Sequence, residues 1–540
     1  MIIMLLRVLA SAAALAASYT LYELLKKVYR ESNSPVGHLP GPKSTHWFYG
    51  NMREIFEAEN SVMHEKWVQE YGPTLKYRAF LSQRLFTVDT GALNHFLMNS
   101  QIYQKPEQAR FALSRMLGRG VLVAEGEQHR QQRKVMNPAF GAPQIRELTE
   151  IFVEKSLELR DVWAHEVANS GGSARVNVLS WLSKATLDVI GLAGFNYHFN
   201  NLSSEKTELG DAFATIFRTG MSINIINVLQ NFIPAFRVIP TSLDSKMEAA
   251  KVTMLRIGRQ LLQESKEEMA GDGTFEKGGG RTRDLLSLLV QANTSKDIPA
   301  AQRLSDDEVL AQVPTFLVAG HETTSVATTW ALFALTQHPA VQKRLRDELL
   351  TVTTDSPTMD QLNELPYLDC VVREALRIHA PVPSTMRIAT QDDIVPLATP
   401  VTDIYGTVHE TLRIAKGQTI MIPILAMNRD KAIWGEDAME FNPSRWEASD
   451  PRSTKSNSLP GVWGHMLTFL GGPRACIGYR FSLVEMKALL FTLVRAFEFE
   501  LAVPAADIQS KTSAVQRPLL KSDPEAGNQM PLIVKRYVRS

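Results

Sequence analysis

Cysteine is almost missing: Cys370 and Cys476 are the only two in 540 residues. Two thiols so far apart cannot form a disulfide framework, a zinc ribbon or a CxxC redox pair. Each keeps two uses, as a thiolate (nucleophile or metal ligand) or as a small buried apolar residue. Net charge is equally scarce. Lys and Arg total 58 against 57 Asp and Glu, a net +1, so nothing points to nucleic acid, whose binders need a clustered basic footprint. No internal repeat is evident, and no GxGxxG follows a strand pattern to mark a nicotinamide-binding unit. What is present is ordinary globular composition, 44% hydrophobic and 21% charged. A usual domain size would give roughly three or four domains for this length.

The single long apolar run is at the start. Residues 2–25 are interrupted only by Arg7 and Glu23, and Lys26, Lys27 and Arg30 follow. A membrane-spanning helix needs about 20 apolar residues, and charges near its ends can snorkel to the headgroups. The excess of cations after the span puts the rest of the chain in the cytoplasm. A cleaved secretory signal is the rival reading, with Ala14-Leu15-Ala16 as its small-residue site; only then would the sequons at Asn201 and Asn293 matter. The organisation expected is an anchor over 1–25, a basic, Pro-rich hinge over 26–44 and a single large body over 45–540. Pro35, Pro40 and Pro42 make the hinge stiff and exclude helix. Gly278 to Gly280 read as a surface loop.

Helical periodicity dominates the body, over 144–168, 175–196, 205–230, 243–270 and 283–293. Strands are few: a hairpin of Leu75 to Phe80 and Leu85 to Asp89 around Ser82-Gln83, a group within 386–424, and a last one near 513–537. The class is mainly α with small sheets. The longest helix starts at a capping box, Ser305 to Glu308, and runs to about Thr336, before His338-Pro339. Pro314 should bend it.

Three motifs carry chemistry. In Phe469-Leu470-Gly471-Gly472-Pro473-Arg474-Ala475-Cys476-Ile477-Gly478 the paired glycines and the proline make a tight loop, and Gly478 lets a backbone or a flat ligand approach closely. Cys476 ends that loop and opens an amphipathic helix through Phe481 to Phe497, where unpaired backbone N–H groups favour a thiolate. Arg474 adds a cation suited to a carboxylate. This stretch resembles the haem-binding loop of the cytochrome P-450 family, FxxGxRxCxG, with Phe469, Gly472, Arg474, Cys476 and Gly478 in place. The resemblance makes Cys476 the haem-iron ligand, whereas Cys370 reads as a core residue.

The resemblance extends from about Leu39 to Val534. Glu374 and Arg377 match its ExxR motif, and Arg445 completes a buried structural triad, with Trp446 where the family usually has Phe. Ala319 to Ser325 (AGHETTS) resemble its oxygen-activation segment, which makes Glu322 a proton relay and Thr323 a hydroxyl that bonds back to a carbonyl and opens a groove. Gly320 then makes room over a flat ligand. A zinc reading of His321-Glu322 fails, because HExxH needs His at 325, which is Ser. Arg387 follows Pro383 as the propionate-holding arginine of PxxxR. His129 and Arg133 stand where the family has WxxxR, so both are haem-contact candidates.

The fold implied is the cytochrome P-450 fold, and the cofactor haem b. The activity implied is monooxygenation of an apolar small molecule, by hydroxylation or epoxidation. Electrons would come from an NADPH-dependent cytochrome P-450 reductase on the same membrane, the endoplasmic reticulum, and Lys487 on the cysteine side could meet its acidic surface. The alternative within haem-thiolate proteins is an isomerase or dehydratase rearranging a peroxide without a reductase; such relatives tend to lose the acid–threonine pair kept here. A catalytically silent haem protein is a third reading. By analogy the pocket is lined from Phe111 to Leu122, by Phe316 and Ala319, from Val382 to Met386, and near Ala514 and Val515, a mainly apolar set. Residues 223–239 could dip into the bilayer or form two buried helix ends. The motifs have a fungal style, which suggests secondary-metabolite or xenobiotic oxidation.

Overall fold

The computed structural model describes residues 34–539 except 204, 206, 222–229, 231–235, 238–241, 272–283, 296–297, 300–301, 448–458 and 511–512, together with scattered positions before 34. The anchor over 1–25, the apolar stretch 223–239 and the loop at 278–280 therefore lie wholly or largely outside the described residues. Among the described residues one helix, Val178–Phe195, is long and apolar enough to cross a membrane. It is a core helix, with Leu182, Ala185, Thr186 and Val189 buried.

Long helices build the body: Ala142–Asn169, Val178–Phe195, Glu208–Met221, Ser242–Gly271, Gln312–Gln337 and Tyr479–Ala496. Five short strands form one sheet in the spatial order Thr74–Ala79, Ser82–Thr87, Thr419–Ile422, Thr385–Ala389, Tyr103–Gln104, with one parallel pairing. A three-stranded sheet joins Ser173–Asn177, Pro531–Arg536 and Phe497–Leu501. Three expectations shift here. The helix expected from 175 begins at Val178, because Ala174 and Val176 alternate inward as a strand after two left-handed glycines, Gly171 and Gly172. The helix expected to include Phe497 stops at Ala496, and Phe497 opens a strand. The hairpin turns at Phe80-Leu81, both at positive φ (48° and 65°), rather than at Ser82-Gln83. That geometry usually calls on Asn or Gly; here Phe80 packs edge-on against Phe48 and Tyr49.

The Pro-rich stretch docks on the body from Ser34 onward. Pro35–His38 form a short 3-10 helix, which tolerates proline at its first position. Val36 and Leu39 are buried, Lys76 N–H donates to Pro40 O at 2.9 Å, and Ser34 Oγ donates to Gln418 at 2.9 Å. So within the expected hinge, residues 34–44 belong to the body.

The central helix, Gln312–Gln337, follows the short helix Asp306–Leu310 that the Ser305–Glu308 capping box starts. Ala311 between them keeps helical angles (φ −64°, ψ −15°). The interruption has a simple cause: the ring of Pro314 excludes the carbonyl four residues back, that of Leu310. The helix lies on Val178–Phe195, where Thr186 Oγ1 donates to His321 O at 2.9 Å. A Cβ at Gly320 would come within 3.0 Å of Ile190. The small residue therefore serves helix–helix packing and not, as expected, room over a flat ligand.

Candidate active site

Cys476 is exposed, yet protein surrounds it on every side. Its exposed surface therefore faces an internal cleft. The loop before it is held by backbone geometry: Cys476 N–H donates to Phe469 O at 2.9 Å, and Phe469 packs edge-on against Trp463. Gly472 sits at φ +68°, where a Cβ would strike the Leu97 carbonyl, and a Cβ at Gly471 would land on the Pro460 carbonyl. Gly478 differs. A Cβ there would meet only Phe140, at 3.8 Å, so the protein's own packing does not demand glycine at that place. The following helix starts at Tyr479, three residues after the cysteine, and so Cys476 does not itself cap it. Burial raises the Cys476 thiol pKa, and the Gly478 N–H and the Arg133 cation pull it back.

The motif Ala319 to Ser325 lies on the central helix. Most of its residues are buried, but Ala319 is exposed and Thr323 half-buried. Thr323 Oγ1 donates to Ala319 O at 2.7 Å, the back-bond that its position suggests. Glu322 is buried and contacts Arg517. Burial raises its carboxyl pKa, against the pull of Arg517. Phe316, expected in the pocket wall, is instead in the core beside Phe140 and Phe195.

A cationic cradle borders the same cleft. Arg387 is 3% exposed and donates to Thr385 Oγ1 and Met386 O. Burial, then Arg474, lowers its pKa to about 10. Arg474 donates to Ala124 O at 2.7 Å and pairs with Glu125. Arg133 donates to Ala475 O at 2.8 Å, which ties it to the cysteine loop itself. His129 is buried beside Arg474, Lys105 and Arg133, its pKa lowered to about 3 chiefly by burial. Two members escaped the sequence reading. Lys105 is lowered to about 7 by burial and by Arg474, Arg387 and Arg110, against the pull of Glu125. Arg110 Nε is buried without a hydrogen-bond partner. Lys105 in a loop and Arg110 on the helix Glu107–Leu117 match no motif spacing, so only the fold could bring them here.

Several cations thus crowd one carboxylate, Glu125. Buried like charges are costly unless an anion neutralises them. Among the described residues no cluster of three or more His, Cys, Asp or Glu could hold a metal. A metal at Cys476 would therefore take its remaining ligands from a non-protein group. One thiol, a slot beside Gly478 and a cradle awaiting carboxylates fit a dianionic metal macrocycle such as haem.

Behind the loop, Glu374, Arg377 and Arg445 are all buried. Arg377 grips Glu374 bidentately at 2.9 and 2.8 Å and donates to Asn428 O and Ala438 O. Arg445 Nε reaches Glu374 at 3.4 Å and its Nη1 donates to Trp434 O at 2.7 Å. Trp446 explains its own departure from Phe: the indole N–H donates to Glu374 at 2.9 Å. Asn428 passes the network to the cysteine loop through Leu467 N–H and Thr468. Lys487 does not face solvent as expected. It is buried and paired with Asp369 at 2.9 Å. Cys370 is buried, its thiol pushed up to about 11 by burial.

The cytochrome P450 family model matches residues 40–522. The chain belongs to the cytochrome P450 family. The relatives named next are fungal. Cytochrome P450 monooxygenase 205 of Postia placenta is 54% identical over 537 residues, covering 98% of each chain. Cytochrome P450 monooxygenase 128 of the same fungus is 52% identical over 538 residues, again 98% of each. Cytochrome P450 monooxygenase claQ of Ampulloclitocybe clavipes is 35% identical over 508 residues, 92% of this chain and 93% of the relative. This P450 is a monooxygenase of haem-thiolate type.

Proposed function

We propose that this P450 inserts one atom of dioxygen into an apolar organic substrate, at a C–H or C=C bond, and releases the other as water. Haem b, bound through Cys476, supplies the dioxygen chemistry. Arg387, Arg474, Arg133, His129, Lys105 and Arg110 would hold its carboxylates, and Phe469, Gly472 and Gly478 would shape the loop that carries Cys476. The single observation that carries this reading is one exposed thiol on a loop that Arg133 and Arg474 tie into a cluster of like-charged cations around Glu125.

The chain's own residues do the rest. Glu322 carries protons inward by general acid catalysis, and the Thr323 hydroxyl, rotating off Ala319 O, offers them at the cleft. The packed walls exclude bulk water. Electrons come from an NADPH-dependent reductase on the same membrane. The run 2–25 anchors the chain in the endoplasmic reticulum membrane, with residues 26–33 as hinge and the body in the cytoplasm. The fungal P450 monooxygenases it resembles support reading the substrate as a secondary metabolite or a xenobiotic.

The reduced protein with carbon monoxide should show the red-shifted Soret band of thiolate ligation, and Cys476→Ser should lose it. A band typical of histidine ligation overturns the assignment of Cys476. Thr323→Ala should divert reducing equivalents to hydrogen peroxide; unchanged coupling would move the proton role to Thr324 or to water.

A further inference from the structure

Glu322 is held from outside its own helix. Its partner Arg517 lies on the segment joining Ile508–Ser510 to Pro518–Leu520. Three hydrogen bonds fix the residue before it. Trp330 Nε1 donates to Gln516 O at 2.6 Å, Gln516 N–H to Pro381 O at 2.8 Å, and Gln516 Nε2 to Ala380 O at 2.6 Å. Trp330 is about two turns beyond Glu322 on the central helix. Arg517 therefore reaches the acid from a backbone fastened to the same helix.

Glu322 is buried, whereas Ala319 is exposed and its back-bonded Thr323 half-buried on the same helix. Adjacent residues on an α-helix point about 100° apart, so a carboxylate on Arg517 is directed away from the Thr323 hydroxyl. A titratable neighbour of Arg517 is His321, buried, with Nδ1–H donating to Leu317 O at 2.9 Å. Burial and the Arg517 cation, against the pull of the Leu317 carbonyl, lower its pKa to about 4, so it stays neutral near pH 7. On Glu322 two effects oppose each other: burial favours the protonated acid and the guanidinium favours the carboxylate.

We propose that Arg517 is a positioning residue for Glu322, keeping its carboxylate ionised and turned from the cleft so that protons pass only when the pair opens. This rests on the reading of Glu322 as the proton carrier. It makes proton supply depend on the 515–517 segment, so an occupant that displaces that segment would also release the acid.

The test is a carboxyl titration on the full-length holoenzyme. Isotope-edited infrared spectra of carbon-13 glutamate-labelled protein, with E322Q subtracted, give the protonation midpoint of Glu322. In R517Q the midpoint should rise by at least about one pH unit, because an opposing charge near a carboxyl is worth that much. In R517K it should lie between, since the shorter ammonium keeps the charge at a greater distance. A merely structural role would lower holoenzyme yield and leave the midpoint in place. If R517Q does not retain haem, R517K alone decides. A midpoint equal to the parent's in either variant overturns the proposal. Failure of the underlying reading looks different: E322Q would leave oxygen coupling unchanged while the R517Q shift still appeared.

Discussion

Replacing Trp446 by phenylalanine asks how much one hydrogen bond contributes to the charged knot behind the cysteine loop. Glu374 accepts from both arms of Arg377, from Arg445 Nε at 3.4 Å, from Asn442 N–H at 2.9 Å and from Trp446 Nε1 at 2.9 Å. Phenylalanine keeps a ring against Trp434, whose centroid lies 5.5 Å away, and removes only the indole donor. A hydrogen bond to a charged group contributes about 1.5–3 kcal/mol net. Four other donors remain on the carboxylate, so the cost should sit at the lower end, about 1.5 kcal/mol. Arg377→Met is the contrast. It strands Glu374 and the Asn428 and Ala438 carbonyls without their guanidinium, and breaking a buried pair this way costs about 3–5 kcal/mol.

Urea unfolding of the holoenzyme should follow far-UV circular dichroism and Soret absorbance separately. A lost tryptophan distorts fluorescence, and haem release need not coincide with unfolding. Stability should fall in the order parent, W446F, R377M, with clear gaps at constant m-value. W446F within about 0.5 kcal/mol of the parent, the usual scatter of a neutral surface change, would show that the indole N–H adds nothing.

Other tests reach different layers of the fold. His64 is stacked on Phe86 at 5.0 Å with its Nε2 unpartnered, and burial, then Arg84, lowers its pKa from 6.5 to about 4. Between those values the unfolded chain binds a proton that the folded ring refuses. Stability is therefore full above pH 6.5 and falls by up to about 1.4 kcal/mol per unit toward pH 4. His64→Phe should gain about 2 kcal/mol on the parent between pH 7.5 and pH 5 by urea midpoint; an equal gap at both pH values would refute it. Gly471→Ala should give no holoenzyme, because its methyl would land on the Pro460 carbonyl. Gly478→Ala should keep native circular dichroism but lower the haem-to-protein ratio, and a parent-like ratio would show that the slot is not where the macrocycle lies.

Motifs legible in the sequence were those whose side chains dictate their own local geometry. The capping box at Ser305 starts its helix through reciprocal bonds with Glu308. The cysteine loop needs Gly472 in the left-handed region and finds it there. Glu374 and Arg377, three apart on one helix face, meet by helix geometry alone. Missed features depend on residues distant in the chain. Lys105 and Arg110 join Arg387 and Arg474 only because the strand Tyr103–Gln104 pairs with Thr385–Ala389. The strand Ser173–Asn177 forms against Pro531–Arg536, more than 300 residues later, and five residues are too few for period two to stand out from a following helix.

The glycines show why a motif can be found while its physics is misread. Gly320 and Gly478 both belong to segments that resemble family motifs, and both suggested room for a flat ring. The structure separates them by what a methyl would touch: Ile190 at 3.0 Å for Gly320, only Phe140 at 3.8 Å for Gly478. Gly320 is therefore a helix-packing glycine, and Ala319 and Thr323, not a missing side chain, border the cleft. Spacing alone could not separate the two, since it records where a residue sits along the chain and not which neighbour lies against it. Trp446 is the same lesson in reverse. A substitution that looked like a weakened match supplies a fifth donor to the most deeply buried carboxylate of the network, so its cost must be judged from that bond and not from the motif.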